Sequence, residues 1–72
     1  MSWTLEYKST DDFITKINEL IQNQLSNLTT NKWYLINCYC RQADTSNKYT
    51  NKGYVTIFLY INADRTFTYS LV

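Results

Sequence analysis

The side chains with the most chemical potential are two thiols, Cys38 and Cys40, one residue apart in the run Trp33-Tyr34-Leu35-Ile36-Asn37-Cys38-Tyr39-Cys40-Arg41. In an extended segment both point to the same side. A metal site would need further soft or nitrogen ligands, and none of the zinc spacings is present. A Cys-X-Cys pair on a strand also lacks the helix N-terminus that lowers a thiol's pKa. The expected role is therefore that of two small apolar residues packed under a helix. Histidine is absent altogether, which removes Ser-His-Asp and Cys-His catalysis together with the commonest transition-metal ligand. Asp11 and Asp12 look like paired carboxylates, but both fall in the first turn of an expected helix, where they complement its positive end. No general base, metal cluster or phosphate-cradling glycine loop can be named, so the chain is expected to be non-enzymatic, with no cofactor and no metal.

What remains is aromatic and basic. Arg41, Lys48, Lys52 and Arg65, with Tyr49 among them, are expected as a loose basic cluster at one end of a sheet, diluted by Asp44 and Asp64; a solvated loop explains it better than a nucleic-acid site does. Seven basic and six acidic residues leave a net charge of +1 over 72 residues. Near-neutrality argues against a DNA mimic and against a strongly electrostatic nucleic-acid binder. Asn27-Leu28-Thr29 is a glycosylation sequon only in a secreted chain, and nothing suggests secretion.

The expected organisation is a single small α+β domain over residues 1–72. A chain of this length supplies a net stability of about 3–5 kcal/mol and often gains help from a partner subunit. Two cysteines are too few for a disulfide scaffold. No apolar run approaches the length of a membrane span and no secretory leader is visible, so a cytoplasmic location without membrane contact is expected. The abundance of Asn, Lys, Tyr and Thr, with no Pro and one Gly, fits a bacterial or phage source.

The elements that must position these residues are legible from periodicity. Ser2 to Lys8 alternates Trp3, Leu5 and Tyr7 with polar residues, the pattern of a half-buried strand. Ser9 then offers a hydroxyl cap, and Phe13, Ile14, Ile17, Leu20, Ile21, Leu25 and Leu28 follow at helical spacing, fading in the Asn- and Thr-rich run 27–31. Lys32 to Gln42 is a second strand, with Tyr34, Ile36, Cys38 and Cys40 directed at the helix and Trp33, Leu35, Asn37, Tyr39 and Arg41 away from it. Ala43 to Lys52 is either a flexible arm or an extension of its neighbours. Gly53 to Val72 reads as a hairpin in which Val55, Ile57, Leu59 and Ile61 alternate with Tyr54, Thr56, Phe58 and Tyr60. Its Asn62-Ala63-Asp64-Arg65-Thr66 turn predicts a three-residue loop with Arg65 at positive φ, pairing Ile61 with Phe67, Leu59 with Tyr69 and Ile57 with Leu71. The fold class is α+β, a single helix on one face of a mostly antiparallel sheet in the order β-α-β-β-β. Strand orders 1-2-3-4 and 2-3-4-1 both satisfy the connections.

One helix covers one sheet face. The other would present Trp33, Leu35, Tyr39, Tyr54, Phe58 and Tyr60, more aromatic area than a small monomer normally leaves in water. Three uses of that face stay open: a homodimer or other homo-oligomer, a docking surface for another protein, or stacking of flavin or single-stranded nucleic acid. Ordinary solvated strand tyrosines are the bland alternative. The expected function is that of a small non-enzymatic protein-binding module, an inhibitor, immunity-type or regulatory protein, with Trp33, Tyr39, Tyr54, Phe58 and Tyr60 as anchors and Arg41 and Lys52 at the rim; ligand or nucleic-acid binding through the same aromatics is the alternative.

A strand, one helix, a Trp-led strand and a long hairpin, over roughly Ser2 to Ile61, resemble the dodecins. That resemblance implies a hollow-shell assembly with Trp33 as a flavin-stacking residue. The helix lacks alanine-rich character and the strand Thr66 to Val72 is additional, taking the sheet edge that the first strand would use in that fold. The helix, Trp33-Tyr34 and the hairpin ending Asn-Ala-Asp-Arg-Thr-Phe-Thr-Tyr are also similar to small bacterial toxin-immunity proteins, which implies a protein partner.

Overall fold

Ser9 is where the first strand gives way to the helix. In the computed structural model, which describes residues 1–72, β1 is Ser2–Tyr7 and α1 is Thr10–Gln24. The Ser9 hydroxyl accepts the Asp12 amide at 3.2 Å, and the Asp12 carboxylate accepts the Lys8 amide at 3.0 Å. These reciprocal bonds satisfy donors that strand exit and first helical turn leave open, and they give Asp12 a structural role. Tyr7 and Phe13 meet edge to face across the junction with ring centroids 4.8 Å apart. A short 3-10 turn, Leu25–Asn27, closes the helix at the start of the Asn- and Thr-rich run.

The remaining strands are β2 (Lys32–Ala43), β3 (Tyr49–Ile61) and β4 (Phe67–Leu71), in the spatial order β1-β2-β3-β4. β1 is parallel to β2 and the other two pairings are antiparallel. The fold is α+β, with one helix on one face of the sheet. Of the two strand orders compatible with the connections, the chain takes the one in which β1 lies against β2, setting Trp3 beside Cys38 and Leu5 beside Cys40. The inner edge of β3 that the dodecin arrangement would give to β1 is filled by β4 instead.

The last hairpin has the expected register: Ile61 faces Phe67, Leu59 faces Tyr69 and Ile57 faces Leu71. Arg65 sits at φ 66, and the Asp64 carboxylate accepts both the amide and the hydroxyl of Thr66. The β2–β3 connection repeats this construction. Asp44 accepts the amides of Ser46 and Lys48, Asn47 takes φ 62, and the Asp44 amide donates to the Lys48 carbonyl at 2.9 Å. Asparagine tolerates the left-handed region better than most residues. The connection is thus an extension of both strands, and β3 starts at Tyr49 rather than at Gly53.

The two long strands slip register between Cys40 and Arg41: Cys40 faces Gly53, Arg41 faces Asn51, and Lys52 is the extra residue. Gly53 sits at φ +85 in this bulge, a conformation that costs a side chain about 1–2 kcal/mol. A Cβ built there meets no atom within 4 Å. Gly53→Ala is therefore expected to lower stability by about 1 kcal/mol through the backbone alone, seen as a lower urea midpoint with an unchanged slope.

One continuous cluster forms the core: Leu5, Ile17, Ile21, Leu25, Leu28, Ile36, Cys38, Cys40, Ile57, Leu59 and Ile61. From the helix, the i+4 row Phe13, Ile17, Ile21 and Leu25 supplies the contact. This row is the side of α1 that packs against the core cluster. Its start meets β1 through Phe13, and Asn18 reaches across to the Tyr69 hydroxyl on β4 at 3.2 Å. Ile14 lies off this row and stays 47% exposed, which corrects its expected place among the core residues.

Candidate functional site

The face of the sheet turned away from α1 is built by strand alternation. The Asn37 amide donates to the Met1 carbonyl at 3.0 Å, toward the β1 side, while Thr56 exchanges both backbone bonds with Val72 on the β4 side. The residues of β2 and β3 that alternate with the mutually hydrogen-bonded ones therefore face each other as close, non-hydrogen-bonded pairs. These are Trp33 with Tyr60, Leu35 with Phe58, Asn37 with Thr56, and Tyr39 with Tyr54. Close pairing explains why both aromatic pairs have ring centroids 5.0 Å apart, a contact worth about 0.5–1.5 kcal/mol beyond burial.

The face is consequently a ladder of four rungs. Trp33 and Tyr54 are each 65% exposed, Leu35 58% and Phe58 40%, while Tyr39 and Tyr60 are half-buried by their neighbours. The rung of Asn37 and Thr56, polar at its centre, is continued by Ser2 on β1 and by the exposed Val72 beside Thr56, and it separates a four-residue apolar patch from the Tyr39–Tyr54 pair. Beyond that pair, Arg41 donates to the Glu6 carboxylate at 3.0 Å and lies over the Tyr49 ring at 5.1 Å. A pair this exposed contributes at most about 1 kcal/mol and neutralises that end of the face.

All seven residues expected at a contact surface, Trp33, Tyr39, Arg41, Lys52, Tyr54, Phe58 and Tyr60, lie on β2 and β3; Lys52 is set apart from the others as the exposed extra residue of the bulge. The loose basic cluster does not form as expected. Arg65 belongs to the turn at the opposite end of β3, where its guanidinium donates to the carbonyls of Leu25 and Leu28 at 2.9 and 3.1 Å. It caps carbonyls that the end of the helix leaves open. A single Arg 37 positions downstream carries no local signal for that role. Arg65→Ala is expected to lower stability by about 2 kcal/mol through two lost charge-assisted bonds, and Arg65→Gly to recover about 1 kcal/mol of it by relieving the positive φ; thermal unfolding of both variants checks this.

The thiols face the other way, into the core. Burial, with a smaller contribution from Cys40, pushes the Cys38 thiol up to about 12, and burial also raises Cys40 and Tyr7. The Tyr34 hydroxyl moves oppositely, lowered by the Thr29 amide that donates to it at 2.7 Å. A thiol whose folded pKa lies above its ordinary value of 9.0 binds a proton that the unfolded chain has lost. Its contribution is fully present below pH 9 and disappears as pH rises toward 12, with Tyr34 offsetting part of the loss. We expect alkaline destabilisation over that window, and alkylation of Cys38 and Cys40 only on unfolding. On the acid side, hydrogen bonds from Ser46 and Lys48 hold Asp44 below the usual carboxylate range, and those from Thr66 do the same for Asp64.

The aromatic face carries none of the surface concavities. The concavities of the surface lie elsewhere, as with the groove of about 560 Å³ between α1 and β4 lined by Asn18, Glu19, Gln22, Asn23 and Phe67. Enclosed apolar pockets are what small-molecule sites use, and none is lined by Trp33, Tyr39, Tyr54, Phe58 or Tyr60. No helix is long and apolar enough to cross a membrane. Compared with known proteins, the chain matches no protein-family model, no curated protein and no solved structure.

Proposed function

We propose that this chain is a non-enzymatic protein-binding module, an inhibitor, immunity-type or regulatory protein, that works by covering a partner's surface with the open face of its sheet. The observation that carries this reading is the patch of Trp33, Leu35, Phe58 and Tyr60, which is apolar, contiguous and turned away from the chain's own core. Large aromatic side chains with few rotatable bonds, already held by their cross-strand neighbours, lose little entropy on binding and dominate interface energetics. Arg41 and Lys52 supply the polar rim. A face without a concavity favours a protein over a flavin, which needs a slot, and the small net charge gives a phosphate backbone little to hold.

Native mass spectrometry of protein purified without refolding tests the reading. A multimer or a co-purified protein supports it, as does association that resists added salt. A subunit carrying the mass of a flavin or an oligonucleotide would instead establish stacking on the same aromatics, and for an oligonucleotide the complex would weaken steeply as salt rises.

A further inference from the structure

We infer that the occupant of the open face is a second copy of this chain, docked face to face about a two-fold axis that passes through the Asn37–Thr56 rung. This rests on the protein-binding reading above and gives its partner.

Three observations lead there. The first is the placing of the uncharged Asn37–Thr56 pair between two apolar rungs. Reading outward from Asn37, Leu35 and then Trp33 lie on one side, Tyr39 and then Arg41 on the other, with Phe58 and Tyr60 beside the former and Tyr54 beside Tyr39. A two-fold axis through Asn37, perpendicular to the strands, sets the Leu35–Phe58 rung of one copy on the Tyr39–Tyr54 rung of the other. It brings Trp33 to the Arg41 end, where a guanidinium suits an indole face. The polar rung then meets itself, and the amide of Asn37, both donor and acceptor, is self-complementary across the axis. Any shift along the strands would press Leu35 or Phe58 onto that polar rung and leave its groups unpaired.

The second observation is charge. Between Trp33 and Tyr39 on β2, and between Tyr54 and Tyr60 on β3, no residue is charged, and the Arg41 and Glu6 that flank the face neutralise each other. Two copies meet without repulsion, whereas nothing on the face would select a charged partner. The third is size. The molecular extents of 42 and 18 Å cap the face at roughly 750 Å², so only an occupant that covers the whole of it, as a second copy of the same extents would, comes near the ~800 Å² per partner of a stable interface.

Sedimentation velocity from low micromolar to high micromolar concentration tests this with the full chain and two variants. Wild type is expected to be a dimer. Asn37→Asp, which places two carboxylates against each other at the axis, is expected to weaken association at least about 100-fold with an unchanged circular dichroism spectrum. Because Cys38 and Cys40 are buried, Asn37→Cys supplies the one accessible thiol, and a short bismaleimide is expected to link two copies through it; Ser26→Cys, on an exposed position after the helix, is the unlinked control. A wild type that stays monomeric throughout overturns the self-association while leaving binding to another protein standing. A dimer that survives Asn37→Asp together with Leu35→Lys overturns the face-to-face contact, since the interface would then lie off this face, and leaves the open face to another protein.

Discussion

Ile57→Ala is expected to remove most of the stability of the protein, while Ile14→Ala on the helix changes it by less than about 0.5 kcal/mol. Ile57 is completely buried, lying between Ile36 on β2 and Leu71 on β4 within the cluster that contains Ile17 and Ile21. Truncating a buried isoleucine to alanine costs about 2–5 kcal/mol, the upper end applying where neighbours are too rigid to close the cavity. A central strand with partners on both sides is such a place. A domain of this length has only about 3–5 kcal/mol to lose, so a fall in melting temperature of about 15 °C or more, followed by circular dichroism, is the expected reading. Ile14 lies off the helical row that touches the sheet, so its truncation exposes no core. Equal sensitivity at positions 14 and 57 would mean that the helix is rotated from the orientation described here.

Phe58→Ser with Tyr60→Ser is expected to abolish association and leave the fold in place. Both side chains lie on the face without a helix, Phe58 opposite Leu35 and Tyr60 stacked on Trp33 at 5.0 Å. Losing their cross-strand contacts costs about 1–2 kcal/mol of folding stability. Each is also an aromatic anchor of the proposed contact, where truncation costs about 2 kcal/mol or more of binding. Two together weaken association about 1000-fold. The helical and sheet signals in the far ultraviolet are expected to persist, while Trp33 fluorescence changes because the ring beside it has gone. The more conservative Phe58→Thr with Tyr60→Thr, which keeps strand propensity, separates a binding defect from marginal stability. Unfolding in both variants without any loss of a partner would show the two faces of the sheet to be reversed.

Much of this was readable from residue patterns because the relevant physics is local. Alternation assigned Ile57, Leu59 and Ile61 to one face and Phe58 and Tyr60 to the other, and the structure buries the first set completely. The turn residues Asn62 to Thr66 set the register of the last hairpin, since only the three-residue loop keeps the apolar residues of both strands on one side. Ser9 placed the helix start through a hydroxyl three residues from an amide. Each of these inferences stays within one element or one hairpin, a range over which backbone geometry leaves few choices.

What local patterns could not supply depended on partners distant in the chain. Ile14 and Ile17 look alike by periodicity, and only the seating of the helix on the sheet decides that Ile17 is buried and Ile14 exposed. Arg65 reads as one more surface cation until the fold brings it to the carbonyls of Leu25 and Leu28. The bulge at Lys52 and Gly53 is invisible without knowing which residue of β2 lies opposite. The ladder on the open face, with its polar rung between two aromatic ones, exists only once β2 and β3 are in register. By itself the sequence determined the elements, the turn chemistry and the two-faced character of each strand, because these follow from side-chain periodicity and backbone sterics. Tertiary structure alone decided the strand order, which helix residues are buried and the layout of the open face, because those follow from which long-range pairings bury the most apolar surface with every backbone group satisfied.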